Sequence, residues 1–254
     1  LNKSSINHYL IKLLDFVHTT VDQYTPHAVV LAALDLSKAY NRGDSMVIQD
    51  LHDMHTPGWL LALLCSYLSS RALVLTYQNK TSTSQDLPGG YGAGTWLGGF
   101  CFIVKFNGIC LRPPIPRPNG NRAIQLKFVD DSTKAASVNL RRSLIPDTQN
   151  KPFPLNYHER TQMVIDPQEN VLQLELDRFQ KETTENNLVT NKKKTFVMVF
   201  NSTKKYAFSP EFELGDSKTL QVKSVLKILG VQVQSDYGWG AQITQMTTKA
   251  SKTI

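Results

Sequence analysis

The chain has 254 residues, 41% of them hydrophobic and 19% charged, enough to bury one sizeable core or one domain with part of a second. Lysine and arginine outnumber aspartate and glutamate 28 to 21, and the net charge of +7 suits a polyanionic partner such as nucleic acid or an anionic membrane surface. No apolar run is long enough for a membrane span, no signal peptide opens the chain, and Cys65, Cys101 and Cys110 have neither metal-ligand spacing nor a disulfide pattern, so an intracellular protein is expected.

Apolar residues Ile6, Leu10, Leu13, Leu14, Val17 and Val21 recur at helical spacing and predict a helix over 5–23. The continuous apolar run from Ala28 to Leu34 predicts a buried strand that ends at Asp35. Helical patterning returns over about 44–54 and 57–68. Arg71 to Gln78 reads as a strand, with Asn79 to Asp86 as its turn and return strand. Leu87 to Gly94 is a glycine-rich loop, and Trp96 to Phe106 reads as a helix, with strand left open by so apolar a run. Cys65 and Cys101 lie in apolar runs and read as buried small hydrophobes. Arg112 to Gly120 is a proline-rich loop. Ile124 to Val129 is a strand, Asp130-Asp131-Ser132 a tight turn and Thr133 to Val138 the return strand. Residues 143–163 read as irregular, Val171 to Asn187 as an amphipathic helix, and Thr195–Phe200 and Leu226–Val233 as strands. The chain opens on Leu1 and closes in a polar, helix-like stretch, so both ends read as cut from a longer protein. This order fits an α+β fold, a sheet with helices on one face, better than a doubly wound sheet. The core is similar to a split βαβ, ferredoxin-like unit.

Two of the predicted strands end in acid, Leu34-Asp35 and Val129-Asp130-Asp131. Neighbouring strands would bring these carboxylates to one sheet edge, where they repel one another unless cations bind. Hard oxygen ligands select Mg²⁺ or Mn²⁺. Two such ions about 3.5–4 Å apart suit in-line nucleotidyl transfer. Taken alone, an Asp-Asp pair after a strand reads as a turn or a helix cap.

The series of motifs is more specific than the pair. Leu34-Asp35-Leu36-Ser37-Lys38-Ala39-Tyr40-Asn41 resembles the first palm motif of reverse transcriptases from non-LTR (LINE-type) retrotransposons. Further matches follow in the family's order. They are Ser66–Arg71, the glycine-rich Gly92–Phe100, Phe128-Val129-Asp130-Asp131, Asn187–Thr195 with Asn191 and Lys194, and Leu229–Val233 before Trp239. The resemblance implies an RNA-directed DNA polymerase palm with two Mg²⁺ ions (Mn²⁺ as an alternative) held by Asp35, Asp130 and Asp131, Asp130 bridging both ions. It implies Lys194 as a clamp or proton donor at the triphosphate, with a solvated charge in Lys192-Lys193-Lys194 as the other reading. It implies nucleotide contacts at Leu36, Tyr40, Ala93 and Gly94, with the Tyr40 ring as the steric gate against a 2′-hydroxyl. Lys38 and Arg71 read as backbone-phosphate or surface contacts. The implied partners are an RNA template, a DNA primer and dNTPs, with no membrane, in a ribonucleoprotein of the nucleus or cytoplasm.

The implied domains are a palm over 1–240 with a remnant of fingers at its start, and the start of a truncated thumb over 241–254. Fingers and thumb are largely missing, so the isolated chain is expected to have little processive activity. Ala93 stands where the family has glutamine, Asn41 where an aspartate is frequent, and Gly99 where proline follows Leu-Gly. Two alternatives remain. A viral-type RNA-directed RNA polymerase is opposed by the aromatic Tyr40. A decayed element that only binds nucleic acid is favoured by Ala93 and opposed by the intact Asp35, Asp130 and Asp131.

Overall fold

The structure, a computed structural model, describes residues 5–43, 45–87, 89–92, 94–109, 121–141, 144–146, 163–167, 170–201, 210–215 and 219–251. In chain order come α1 (Ile6–Val21), β1 (His27–Leu34), α2 (Met46–Asp53) and α3 (Gly58–Leu68). Four two-residue strands follow, β2 (Ala72–Leu73), β3 (Thr76–Tyr77), β4 (Lys80–Thr81) and β5 (Gln85–Asp86), then α4 (Trp96–Gly108). The remainder is β6 (Ala123–Phe128), β7 (Asp131–Asn139), β8 (Leu144–Pro146), β9 (Met163–Ile165), α5 (Val171–Glu185), β10 (Phe196–Asn201), β11 (Gln221–Val222), β12 (Val225–Ile228), β13 (Val231–Gln234) and α6 (Gly240–Ser251). These elements fall into two compact units. The first comprises Leu1–Asp35, Arg112–Gln180 and Asn191–Ile254, the second Leu36–Leu111 and Lys181–Thr190.

The first unit is built on a sheet of order β11-β10-β1-β7-β6, antiparallel except for the β10–β11 pair. The central strand β1 is apolar after His27, and all of its residues but Ala33 are buried. Helix α1 starts at Ser5, whose hydroxyl accepts a hydrogen bond from the His8 N–H at 3.3 Å. Its face of Tyr9, Leu13, Phe16 and Val17 packs with Val29 and Leu31 of β1, Ala135 of β7, and Met198 and Phe200 of β10. The β12–β13 hairpin adds Leu226, Ile228 and Val233 to the same core.

The other face belongs to α5. The registers set Lys134 opposite Ala32 and Gln125, one residue out of phase with the α1 face. Lys134 Nζ donates to Glu175 of α5 at 2.9 Å and stands 5.8 Å from the Phe179 ring centroid. The expectation of helices on one face is therefore corrected: α1 and α5 cover opposite faces. A strand as continuously apolar as β1 needs cover on both sides.

Other expectations shift in detail. The strand predicted over 226–233 is two strands joined at Leu229-Gly230, whose φ values of +48° and +88° match a type I′ turn. The hairpin predicted over 71–86 is split into an outer β3–β4 pair, turned by Gln78 and Asn79, and an inner β2–β5 pair. Residues 144–146 and 163–165 pair antiparallel instead of being irregular. Cys65 is exposed on α3, whereas Cys101 is buried. The proline-rich loop over 112–120 and Cys110 lie outside the described residues. Among the described residues no helix is long and apolar enough to cross a membrane.

Candidate active site

Strand pairing brings the first and second acidic positions together. Leu34, the last residue of β1, pairs with Ser132 of β7, which leaves Asp35 and Asp131 as the next residues of the two strands. Strands β6 and β7 close on a two-residue turn, Val129-Asp130, with Phe128 paired to Asp131. The turn thus lies one residue earlier than predicted, and Asp131 is the first residue of β7. Three carboxylates stand at one end of one sheet. Asp131 shows their influence: partial desolvation raises its carboxyl pKa, and the neighbouring charges of Asp130 and Asp35 raise it further.

The turn is strained. Val129 has φ +56°, a left-handed conformation that a β-branched side chain seldom adopts. Such outliers concentrate at functional sites, held by surroundings that over-determine them. Here the surroundings are the full β6–β7 ladder and the β1 ladder beside it.

Asp35 is also fixed from the segment before β10. Its carbonyl oxygen accepts from the Asn191 N–H at 2.7 Å, and its own N–H donates to Thr195 Oγ1 at 3.4 Å. Thr195 is buried and donates to the Asn191 carbonyl at 3.0 Å. The Lys194 N–H donates to that same carbonyl at 3.0 Å, while its side chain is exposed. The loop that carries Lys194 is thereby tied to the main chain of Asp35. Thr195 was not singled out in the sequence, since a threonine opening a strand carries no signal of its own.

The second unit holds the residues expected at the nucleotide. The Leu36 side chain is buried, which leaves its main chain as the group it can present; Leu36 bridges to Thr190. Tyr40 sits in a 3-10 turn over Ala39–Arg42, and its ring lies 4.6 Å from that of Phe102 on α4. The glycine-rich loop docks on this turn. The Tyr91 N–H donates to the Tyr40 carbonyl and the Gly90 N–H to the Gly43 carbonyl, both at 2.7 Å. Gly90 needs its positive φ of +87° there, and a Cβ on it would crowd the backbone of Tyr40 and Asn41. Thr95 caps α4 by accepting from the Gly98 N–H at 3.0 Å. The Tyr67 hydroxyl holds the cap from the side, 2.6 Å from Thr95 Oγ1, and donates to the Tyr91 carbonyl at 2.9 Å. Gly94 is exposed at φ +85°, and Ala93 lies outside the described residues.

The sequence-predicted residues therefore sort by unit: Asp35, Asp130, Asp131 and Lys194 in the first, Leu36, Tyr40 and Gly94 in the second. Among the described residues no three His, Cys, Asp or Glu side chains form a ready-made metal cluster.

Against known proteins, no family model matches the sequence and no curated protein gives a significant match. Solved structures do match. Apo telomerase from Candida tropicalis, truncated from its C-terminal domain, superposes with a TM-score of 0.52 at 11% identity, over 91% of this chain and 39% of that one. Telomerase from the same organism in complex with the TWJ fragment of telomeric RNA gives 0.54 at 9% identity, over 94% of this chain and 34% of that one. The chain thus spans little more than a third of the length of these structures. At such identities the likeness is one of fold: this chain has a mixed α+β fold like that of these telomerase structures.

Proposed function

We propose that the chain is the palm region of an RNA-directed DNA polymerase of the retroelement type, adding dNTPs to a primer 3′-hydroxyl on an RNA template. The observation that carries this reading is the pairing of Leu34 with Ser132, which leaves Asp35 and Asp131 as the next residues of the two strands, within electrostatic reach of each other and beside the strained turn presenting Asp130. The strand order supports it: β1 and β6 run parallel with β7 between them, a split βαβ arrangement. The telomerase bound to an RNA fragment, as a fold relative, supports a nucleic-acid partner.

Asp35, Asp130 and Asp131 would hold the divalent ions, and two features fit that role. All three are hard oxygen donors, and the mutual repulsion felt at Asp131 is what a cation relieves. Mg²⁺ sites at phosphate substrates commonly use one or two carboxylates completed by the substrate's own oxygens, so a closed protein cage is not required. When bound, such ions activate the attacking hydroxyl and neutralise charge on the transferred phosphoryl group. The protein's share is positioning. The Asn191 N–H, donating to the Asp35 carbonyl, and the Thr195 hydroxyl, accepting from the Asp35 N–H, fix the main chain of Asp35; Lys194 would supply a cation, or a proton, for the departing pyrophosphate. The Tyr40 ring, backed by Phe102, would exclude a 2′-hydroxyl because it cannot yield.

Mn²⁺ binding followed by paramagnetic resonance, with single-nucleotide incorporation on a primed RNA template, tests the reading. Asp35→Asn and Asp130→Asn are expected to lose the bound ion, and Asp130→Ala to lose incorporation. Binding of Mn²⁺ by both Asn variants as tightly as by the parent chain would sink the proposal. The position of Ala93, where the family has glutamine, favours a second reading, a chain that binds nucleic acid without turning over nucleotides. Intact Mn²⁺ and strand binding with no incorporation selects that reading.

A further inference from the structure

The second unit contains a pocket of about 340 Å³ whose lining includes Asn41, Arg42, Ser45, Arg71, Gly89 and Asn187. Two arginines, Arg42 and Arg71, are among its lining residues, together with the polar Asn41, Asn187 and Ser45. Arg71 is held in place rather than waving in solvent. Its Nε donates to the Leu68 carbonyl at 3.3 Å, and its guanidinium stands 5.9 Å from the Tyr67 ring centroid. Its Nη1 is buried and has no hydrogen-bond partner among the described residues. A buried, charged N–H left without an acceptor is costly, and a site that keeps one supplies the acceptor from elsewhere.

The missing acceptor has a definable chemistry. Two arginines with neutral donors match the oxygens of a phosphoryl group, which guanidinium forks bind in a bidentate manner. The volume lies at the small end of ligand sites, about 300–1,000 Å³, which suits a phosphate with part of its sugar rather than a whole cofactor. We propose that this pocket binds a backbone phosphodiester of a nucleic-acid strand, as a metal-independent anchor. The choice of a nucleic-acid strand as the source rests on the polymerase reading; the preference for a phosphoryl anion rests on the pocket alone.

The test is fluorescence anisotropy of a short fluorescein-labelled oligouridylate in EDTA, across a salt series, with dTTP as competitor. The variants are Arg42→Ala and Arg71→Lys, with Lys80→Ala on the exposed β3–β4 hairpin as the charge control. Arg42→Ala and Arg71→Lys are each expected to weaken oligomer binding about tenfold, the scale of one charge-assisted hydrogen bond. Arg42→Ala is also expected to lower the slope of log affinity against log salt by about 0.7, one single-strand phosphate contact. Lys80→Ala should leave affinity nearly unchanged. Arg42 is exposed, so its variant carries the test even if Arg71→Lys folds poorly. Unchanged oligomer binding in Arg42→Ala, an equal loss in Lys80→Ala, or a loss confined to dTTP would each overturn the proposal. Because the assay contains no free metal, it stands apart from the carboxylates: a strand anchor that survives Asp35→Asn while Mn²⁺ binding fails separates the two readings.

Discussion

The pair Lys134–Glu175 gives the sharpest stability prediction, because it lies directly beneath the strand that carries Asp131. Their side chains are 1% and 4% exposed and meet at 2.9 Å. Lys134 also donates to Gln125 Oε1 at 3.0 Å, and Glu175 has Arg178 at 3.9 Å. Breaking a buried pair from one side leaves an uncompensated charge and costs about 3–5 kcal/mol. Glu175→Gln keeps the volume and an oxygen acceptor, and Gln125 still accepts from the ammonium, so the lower end, about 3 kcal/mol, is expected. At about 2–4 °C per kcal/mol for a domain of this size, that is a fall in Tm of roughly 6–12 °C. The double variant Lys134→Met with Glu175→Leu removes both charges and fills the space with apolar atoms. It should recover most of the loss, since such replacements are often neutral or stabilising by about 1–4 kcal/mol. Urea unfolding followed by circular dichroism measures all three proteins. A Glu175→Gln cost under about 1 kcal/mol, or a double variant no better than the single one, would show that the pair is not desolvated as described.

Three further outcomes are expected. Asp131 has its carboxyl pKa raised in the fold, so its own contribution to stability is fully present below the ordinary carboxylate range and is lost as pH rises through the raised value. Asp131→Asn escapes that loss and should gain on the order of 0.5 kcal/mol at neutral pH, the scale of a solvent-screened charge pair; urea midpoints at acid and neutral pH check this, and a variant less stable than its parent at neutral pH contradicts it. Gly98→Ala should destabilise by about 2 kcal/mol, because a Cβ there overlaps the carbonyl oxygens of Tyr91 and Gly92. Gly99→Ala, with nothing near its Cβ, should instead gain up to about 1 kcal/mol from helix propensity; thermal melts of the pair decide whether the glycine loop is packed as tightly as described.

Much of the site was legible because its elements have strong local signals. The apolar run Ala28–Leu34 announced β1, and the motif order around Asp35 and Asp130–Asp131 anticipated the pairing that the β1–β7 register provides. Other features depend on partners distant in sequence. The burial of Lys134 becomes visible only when Glu175 and Phe179 arrive from α5. The split of 226–233 was hidden because Leu229 occupies a turn position usually given to Asn, Asp or Gly, leaving Gly230 as the single cue. The Val129 turn was misplaced for a related reason. Asp130 and Asp131 are good turn residues and Val129 is a poor one, so local preference favoured a turn one residue later. The β6–β7 ladder outweighed that preference.

That override bears on how the site is built. The conformation of Val129 and the charge crowding at Asp131 both oppose folding, and both occur at the same end of the sheet. A strained residue persists where its surroundings have no slack. Strand β1 pairs with β7 over eight residues and with β10 over six, and its core positions from Ala28 to Ala32 are fully buried. A one-residue slip of β7 would carry Thr133 and Ala135 to the face of α5 and bring Lys134 to the apolar face of α1. The ion pair with Glu175 therefore fixes the register as well as filling the space under the strand. Because that register leaves Asp35 and Asp131 as the next residues of the two strands, a residue pair buried away from solvent governs the alignment of the carboxylates at the exposed edge.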